Sequence, residues 1–206
     1  MEVRQHTPGR CGSTLISQIV IELVGRENYK GLHSRLGEAP DKRVILAVRD
    51  FRDIMVSAWR VKNDTPLAEL DDLKMTEAEV GAEAWETCGK ISHIDFSHNN
   101  NPHALILRYE EFFGNFSFLL DEISKYLKIH IPKKQRRKME ANYGFKSNLK
   151  KSLKMNSFLQ HDSGFIHGLH IYQGKIGGWK DFVKEKHRHI VNNILREGLE
   201  KWGYKV

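Results

Sequence analysis

Apolar and polar positions along the first 24 residues follow two different periods. The segment of residues 3–7 has the length of a short strand. After a polar break, the apolar side chains recur every three or four positions, as on one face of a helix. The positions with helical spacing are Leu15, Ile16, Ile19, Val20, Leu23 and Val24. The chain therefore begins with a predicted strand, a tight loop and a helix.

Two more segments have the pattern of buried strands followed by helices. Residues 43–48 are continuously apolar after Arg43 and rich in β-branched side chains, which is typical of a parallel strand covered on both faces. Asp50 is placed to cap the helix that follows. Residues 104–107 are the next such strand, and an amphipathic helix follows it over about residues 116–127.

The other segments are predicted to be helices or loops. Thr76 and Glu79 have the spacing of a capping box, and a helix is expected from there to about Phe96. Residues 25–43 are polar and rich in glycine, which favours a loop. Residues 173–180 form a second glycine-rich stretch, followed by one final helix whose apolar side chains run from Phe182 to Trp202.

Length and composition indicate one domain over residues 1–206. The chain is 40% hydrophobic, enough for a sizeable core, and no repeat or low-complexity run divides it. The apolar runs are too short for a transmembrane helix, and Glu2, Arg4 and His6 interrupt the region where a signal peptide would be apolar. Two cysteines suit a reducing compartment. We therefore expect a soluble, cytoplasmic protein with no membrane partner.

The positive charge is concentrated in one segment. The chain has a net charge of +7, while residues 133–154 alone contain nine Lys or Arg and a single acidic residue, Glu140. The rest of the chain is close to neutral. Such a segment favours an anionic ligand, an anionic substrate or nucleic acid, and the alternative is a solvated face without a partner.

The loop before the first helix has the composition of an anion-binding turn. It reads Thr-Pro-Gly-Arg-Cys-Gly-Ser-Thr over residues 7–14, the first glycine loop. Its glycines permit a sharp turn, and the helix after it offers unpaired N–H groups and a partial positive charge to a phosphate or sulfate. Gly-Lys-Ser/Thr is absent, so the loop is not a Walker A motif. A plain turn with a surface arginine is the alternative.

A second anion site is predicted at the end of the next strand. Arg49 follows the buried strand at its carboxyl end, where open α/β sheets bind ligands. Ser57 lies two helical turns beyond Asp50 and can share its face. The alternative is that Arg49 pairs with Asp53 and Ser57 only packs.

Other ionisable groups offer weaker candidates. His33 lies in a polar loop, and Glu110 with Glu111 is either a pair of catalytic carboxylates or the polar start of a helix. His93 and His98 have no Cys, Asp or Glu at ligand spacing, so no metal site is predicted.

Four segments, in this order, resemble the sulfotransferase family that uses 3′-phosphoadenosine 5′-phosphosulfate (PAPS) as donor. Residues 9–15 are similar to its 5′-phosphosulfate loop, Pro-Lys/Arg-Ser-Gly-Thr/Ser-Thr-Trp/Leu. Residues 48–57 resemble its 3′-phosphate motif, in which a strand-end arginine precedes Pro-Arg/Lys-Asp and Val-Ser. Residues 108–111 resemble Arg-Tyr-Glu-Asp, and residues 174–180 resemble the late Arg-Lys-Gly-x-x-Gly-x-Trp-Lys loop, with Tyr172 and Gln173 in place of its Arg-Lys. Gly9, Cys11 and Phe51 depart from the usual Pro, Ser and Pro.

The resemblance implies an α/β, three-layer P-loop-like fold with a central parallel sheet flanked by helices. It also implies PAPS as donor, 3′-phosphoadenosine 5′-phosphate (PAP) as product, and no metal. Arg10 and His33 are the implied catalytic residues, with His33 as general base because it is the only histidine between the first two motifs. The implied donor-binding residues are Arg10, Cys11, Gly12, Ser13, Thr14, Arg49, Ser57, Phe145, Gly174 and Lys175.

Two other classes of function stay open from the residues alone. One is another nucleotide-dependent phosphotransferase, since the same loop geometry binds phosphates. The other is a basic nucleic-acid-binding or degenerate nucleotide-binding protein, although a nucleic-acid partner is not expected because few aromatic side chains interrupt residues 133–154. For a sulfotransferase, we expect a small-molecule or glycan acceptor, whose identity the sequence does not give. The basic segment suits an anionic acceptor, but it equally suits the donor.

Overall fold

Four parallel strands form the sheet of this computed structural model, which describes residues 1–32, 36–39, 41–63, 73–155, 160, 166–168, 171 and 173–206. The strands are β1 (Val3–His6), β2 (Tyr29–Leu32), β3 (Arg43–Val48) and β4 (Leu105–Arg108). Their order in the sheet is β2-β1-β3-β4, and each neighbouring pair is parallel. The predicted strands and the parallel central sheet are confirmed.

The register brings the ends of β1, β3 and β4 to one edge. His6 at the end of β1 pairs with Leu46, and Val48 at the end of β3 pairs with Arg108. The loops that follow these strands therefore leave the sheet side by side. In a parallel sheet this carboxyl edge is where ligands bind.

Nine α-helices surround the sheet within the described ranges. They are α1 (Ser13–Val24), α2 (Phe51–Lys62), α3 (Glu77–Asn99), α4 (Tyr109–Phe112), α5 (Phe116–Leu127), α6 (Lys133–Tyr143), α7 (Phe145–Ser152), α8 (Trp179–Phe182) and α9 (Arg188–Lys201). Helix α1 packs on β1, β2 and α6, while α2 packs on α3, α8 and α9. None of the helices in these ranges is long and apolar enough to cross a membrane.

Local sequence explains why α2 and α3 begin where they do. The Asp50 carboxylate accepts a hydrogen bond from the Arg52 backbone N–H at 3.0 Å and pairs with the Arg52 guanidinium at 2.7 Å. Thr76 and Glu79 form the predicted capping box. Both caps satisfy N–H groups that have no partner inside the helix.

The core follows the apolar pattern of the sequence. Ile45, Leu46, Ala47 and Val48 of β3 are fully buried, as expected for a strand covered on both faces. Helices α1 and α2 contribute residues of their apolar faces to the same core, such as Ile16, Ile19, Ile54 and Met55. This packing sets the positions of the loops at the carboxyl edge.

Two predictions about secondary structure were wrong. Residues 25–43, expected to be a loop, contain a 3₁₀ turn (Arg26–Asn28) and strand β2. The sequence Tyr-Lys-Gly-Leu has little strand character, and β2 forms because its backbone pairs with β1 and its Tyr29 hydroxyl donates to Gln5 Oε1 at 2.9 Å.

The single final helix is in fact two helices. Helix α8 ends at Phe182, Val183 has extended backbone angles, and α9 begins only at Arg188 after a 3₁₀ turn. Val183 forms a parallel bridge with Met75, and the Met75 N–H donates to the Phe182 carbonyl at 2.9 Å. This pairing requires an extended strand-like backbone, which ends the helix.

Candidate functional site

The first glycine loop is a compact turn of left-handed residues. Gly9, Arg10 and Gly12 have φ angles of 79°, 61° and 75°. At Gly12 a β-carbon would lie 2.9 Å from two ring carbons of Phe112, so the close approach of α4 requires glycine there. Helix α1 begins at Ser13 without a side-chain cap. The start of this helix therefore keeps the anion-binding character that the sequence predicts.

Arg49 makes contacts to four parts of the chain. Its guanidinium lies over the Tyr109 ring at 4.2 Å and pairs with Asp53 at 3.4 Å. Its Nη1 donates to the Arg10 carbonyl at 3.3 Å, and Nη2 donates to the Lys175 carbonyl at 2.9 Å. Its buried Nε has no hydrogen-bond partner in the described chain. The ion pair between Arg49 and Asp53, which is part of one of the two alternatives predicted from the sequence, is present.

Ser57 links the first glycine loop to helix α2. The Arg10 Nε–H donates to Ser57 Oγ at 2.9 Å. The two predicted anion sites are thus in direct contact, because Arg10 belongs to the first site and Ser57 to the second.

One cavity of about 650 Å³ contains both sites. Its wall includes eight of the predicted site residues, namely Arg10, Gly12, Thr14, Arg49, Ser57, Phe145, Gly174 and Lys175. The first glycine loop and the strand-end arginine therefore face the same space, although they are almost 40 residues apart in the chain.

The other three predicted site residues are not among the described residues of the cavity wall. The Cys11 side chain is fully buried, its thiol donates to the Gly9 carbonyl at 3.1 Å, and burial raises its pKa. The Ser13 carbonyl accepts from Gln5 Nε2 at 3.1 Å and from Ser17 Oγ at 2.8 Å, and the residue is not in the wall. His33 lies outside the described residues. Their roles stay predictions.

The second glycine-rich stretch is attached to the site by three side chains. Asp53 accepts hydrogen bonds from the backbone N–H groups of Gly177 at 2.8 Å and Trp179 at 2.9 Å. The Tyr109 hydroxyl donates to the Gly174 carbonyl at 2.9 Å. Together with the bond from Arg49 to the Lys175 carbonyl, these contacts hold residues 174–179 across the cavity.

Three guanidinium groups lie on the cavity wall, those of Arg10, Arg49 and Arg60. Burial, together with the charges of Arg60 and Arg49, lowers the pKa of Arg10 to about 9. Burial raises the pKa of Asp53, against the opposite effect of Arg49. Three guanidinium groups on one cavity wall favour the binding of an anion.

Aromatic side chains line another part of the cavity. Phe145, at the start of α7, is 36% exposed and packs edge-to-face on Phe113, with ring centroids 5.6 Å apart. Phe113 stacks on Tyr109 at 5.2 Å. Burial raises the pKa of Tyr109 to about 12, so its hydroxyl stays protonated at neutral pH and can donate to Gly174. An exposed ring at the cavity wall can stack on a flat ligand.

Glu110 has a structural role. Its Oε1 accepts from the Asp50 backbone N–H at 2.8 Å, and its Oε2 accepts from the Tyr204 hydroxyl at 3.1 Å. Neither Glu110 nor Glu111 lines the cavity. The sequence left two alternatives for Glu110 and Glu111, a pair of catalytic carboxylates or the polar start of a helix. The structure favours the second for Glu110, but the helix start that it contacts is that of α2 and not that of α4.

The part of the chain that the structure describes contains no group of three or more His, Cys, Asp or Glu side chains that could hold a metal ion. The histidine pair His93 and His98 lies on α3, away from the cavity wall.

Two residues of the site were not predicted from the sequence in the roles they have. The sequence predicts Asp53 only as a partner for Arg49, yet Asp53 also accepts hydrogen bonds from two backbone N–H groups of a segment more than 120 residues away. Arg60 has no role in the sequence-based prediction, although its position three residues after Ser57 puts both on one helix face. That spacing was the available signal.

Comparisons with known proteins agree with this geometry. The family profile described as "Sulfotransferase domain" matches residues 30–203. No curated protein matches the chain.

Several solved structures have a similar fold. Mouse sulfotransferase SULT7A1 complexed with PAP is 14% identical, with a TM-score of 0.69 over 97% of this chain and 84% of that one. Retinol dehydratase in complex with androsterone and inactive cofactor PAP is also 14% identical, with a TM-score of 0.67 over 97% and 80%. Retinol dehydratase in a complex with retinol and PAP is 14% identical, with a TM-score of 0.65 over 97% of this chain and 81% of that one.

Proposed function

The chain belongs to the sulfotransferase family, and from that membership we propose that it takes a sulfuryl group from PAPS and transfers it to a hydroxyl or amine acceptor. The family match covers residues 30–203, and the α/β fold with its parallel sheet is the fold of the similar sulfotransferase structures. Sulfuryl transfer is the activity of the family. The donor, the residue roles and the acceptor are our proposals.

The single observation that supports this proposal most strongly is the shared cavity. PAPS carries anionic groups at its 5′ and 3′ positions, so its binding site needs two positive regions that face the same space. The first glycine loop with Arg10 supplies one region, and Arg49 with Ser57 supplies the other, on the wall of one 650 Å³ cavity. Similar structures with PAP bound are consistent with this use.

We assign the donor-contacting roles as follows. Gly12, Thr14 and the start of α1 bind the 5′-phosphosulfate, where backbone N–H groups and the helix dipole favour negative charge. Cys11 and Ser13 are assigned there through their backbone. Phe145 stacks on the adenine, and residues Gly174 and Lys175 cover the 3′ side.

The chemical step requires a base and an acceptor of negative charge. The acceptor oxygen or nitrogen loses its proton to the base as its bond to sulfur forms, and the bond from sulfur to the phosphate oxygen breaks. We assign the base to His33, whose ordinary pKa near 6.5 suits the task. We assign Arg10 to the departing phosphate oxygen, where it stabilises the developing charge.

The acceptor is proposed to be a small molecule or a glycan. Retinol dehydratase has been crystallised with androsterone and with retinol, which supports the small-molecule alternative. The basic segment supports an anionic acceptor. A cytoplasmic location and a single domain over residues 1–206 stay predictions, resting on the low cysteine content and on the length.

A thermal-shift measurement tests the donor class. PAP at about 100 times its dissociation constant should stabilise the protein by roughly 2.7 kcal/mol, or about 5–10 °C for a chain of this length. ATP and AMP at the same concentration should give much smaller shifts, because neither has a 3′-phosphate. Equal shifts with ATP and PAP would contradict the proposal and favour a phosphotransferase.

A further inference from the structure

One face of α6 carries four cations that the proposed roles do not use. Its members, the basic face of α6, are all exposed: Lys133, Lys134, Arg137 and Lys138. In the part of the chain that the structure describes, none of the four forms an ion pair, whereas Arg136 on the same helix does. The charge of the basic face is therefore available to a partner in solution.

Contacts on the other side of α6 keep the basic face turned to solvent. Met139 is fully buried, and the Arg136 guanidinium pairs with Asp121 of α5 at 2.6 Å. The Tyr143 hydroxyl donates to Glu22 of α1 at 2.6 Å. Arg136, Met139 and Tyr143 follow one another at intervals of three and four residues, so they lie on one side of the helix. They fix its rotation, and the basic face lies on the opposite side.

The basic face leads into the wall of the cavity. Lys133, Arg137 and Ala141 follow one another at intervals of four residues, so they form one row along α6. Ala141 lines the cavity, as does Lys146 at the start of α7. The helix rises about 12 Å from Lys133 to Ala141, at 1.5 Å per residue. A ligand that enters the cavity beside Ala141 and contacts both cations of the row must therefore extend well beyond the wall.

Repeated charge along this row fits a chain with repeated negative charge. A small anion inside the cavity is too short to contact both Lys133 and Arg137, whereas an anionic polymer can contact each turn of the helix. None of residues 133–138 is aromatic, so the basic face offers no surface on which nucleic-acid bases could stack. A polysaccharide needs no such surface, and its sugars carry the hydroxyl groups that the proposed reaction requires.

We propose that the basic face of α6 binds an anionic polysaccharide that reaches past Ala141 into the cavity, where one of its hydroxyl groups is the acceptor. This inference rests on the proposed function and narrows its acceptor to an extended anionic chain. Lys133 and Arg137 hold the chain by charge and take no part in the chemical step. Their contribution depends on the length of the chain, since a single sugar in the cavity does not reach them.

The test measures the binding of long oligogalacturonate, which has one carboxylate on each sugar, to protein saturated with PAP. In the double variant Lys133→Gln, Arg137→Gln the affinity should fall roughly 5-fold to 30-fold, the scale of two cations beside a polyanionic surface. Wild-type affinity should fall steeply from low to physiological salt, as when bound cations replace counterions on a polyanion. Neutral dextran and monomeric galacturonate should not respond to the two substitutions.

The matched control is the double variant Arg196→Gln, Lys201→Gln. It also removes one Arg and one Lys, and these side chains are 52% and 46% exposed on α9, which packs on α2 and α3. It should change the affinity for oligogalacturonate less than about threefold. The affinity for PAP should stay within about threefold of wild type in both double variants, since all four residues lie outside the cavity wall.

A further variant tests whether the chain reaches the cavity. Lys146 lies in the wall, so Lys146→Gln should also weaken the binding of oligogalacturonate to protein saturated with PAP. An unchanged affinity in this variant would show that the chain stays outside the cavity, and it would overturn the role of the chain as acceptor.

The remaining outcomes separate this inference from the proposed function. Wild-type protein that does not bind PAP would reject the proposed function itself. If PAP binds normally, the role of the basic face is overturned by absent binding of oligogalacturonate, by equal affinity for dextran, or by equal losses in the two double variants. Tighter binding of poly-glutamate or single-stranded DNA, with the same dependence on Lys133 and Arg137, would overturn the polysaccharide in favour of an acidic peptide or nucleic acid.

Discussion

Arg49 has two tasks at once, and this affects how it can be tested. It is the proposed ligand of the 3′-phosphate, and it also joins the first glycine loop to the second through the carbonyls of Arg10 and Lys175. Removing its side chain therefore removes a ligand contact and two internal hydrogen bonds. Binding and stability must be measured separately.

Arg49→Ala should weaken PAP binding by about 2 kcal/mol, the scale of a hydrogen bond to a charged group. Calorimetry with PAP measures this effect. Arg196→Ala is the control, because Arg196 is 52% exposed on α9 and is not in the cavity wall. Unchanged affinity in Arg49→Ala would reject the assignment of the 3′-phosphate, even if the melting temperature fell.

Arg10→Ala should slow turnover by roughly 10²-fold to 10³-fold, the usual loss when one preorganised group that stabilises transition-state charge is removed. Single-turnover rates with saturating PAPS measure the chemical step apart from product release. If the rate stayed within a few-fold of wild type, Arg10 would not stabilise the departing phosphate.

The second glycine-rich stretch is held in place by elements that are distant in the chain. The segment has two left-handed glycines, Gly174 and Gly177, with φ angles of 65° and 71°. Asp53 on α2 and Tyr109 on α4 hold its backbone. A β-carbon at Gly174 would come within 2.5 Å of Phe113 and 2.8 Å of the Tyr109 hydroxyl, whereas nothing lies within 4 Å at Gly177.

This difference gives a matched pair of variants. Gly177→Ala should cost only the strain of a left-handed alanine, about 1 kcal/mol. Gly174→Ala should cost a further 1–3 kcal/mol or so for the overlap with Phe113 and Tyr109, and should weaken PAP binding as the loop moves. Denaturant unfolding and calorimetry measure the two effects. Equal destabilisation by both variants would show that the loop does not pack as described.

The basic segment contributes part of the cavity wall, but most of its positively charged side chains lie outside that wall. Of the nine Lys or Arg residues in 133–154, only Lys146 lines the cavity. Lys133, Lys134 and Lys138 are exposed on α6, and Arg136 pairs with Asp121 at 2.6 Å. Most of this charge therefore acts on the donor only through long-range electrostatics, which salt screens over about 8–10 Å.

The double variant Lys133→Gln, Lys134→Gln should change PAP affinity less than about threefold at physiological salt, because both side chains lie outside the cavity wall. Lys146→Gln, in the wall, should lower it more. Titrations with PAP at low and at physiological salt separate a long-range electrostatic effect from a direct contact. A large loss in the double variant at both salt concentrations would mean that α6 contacts the donor directly.

Strands β1, β3 and β4, the main helix starts and the candidate residues follow from the sequence because each depends on local order. The apolar run of β3, the cap at Asp50 and the capping box at Thr76 need no distant partner, and the four motifs that indicated the family lie in continuous segments. Strand β2 and the break after α8 could not be predicted, since each depends on pairing with a remote backbone, at β1 and at Met75.

Only the tertiary structure decided how the candidate residues meet. The parallel register places the ends of β1 and β3 together, so that Arg10 reaches Ser57, and Asp53 binds a segment more than 120 residues away. The presence of Arg60 in the same cavity likewise depends on how α2 packs. The sequence pattern predicts which face of a helix a residue lies on. It does not predict which residues that face contacts, because those contacts depend on packing against segments that are distant in the chain.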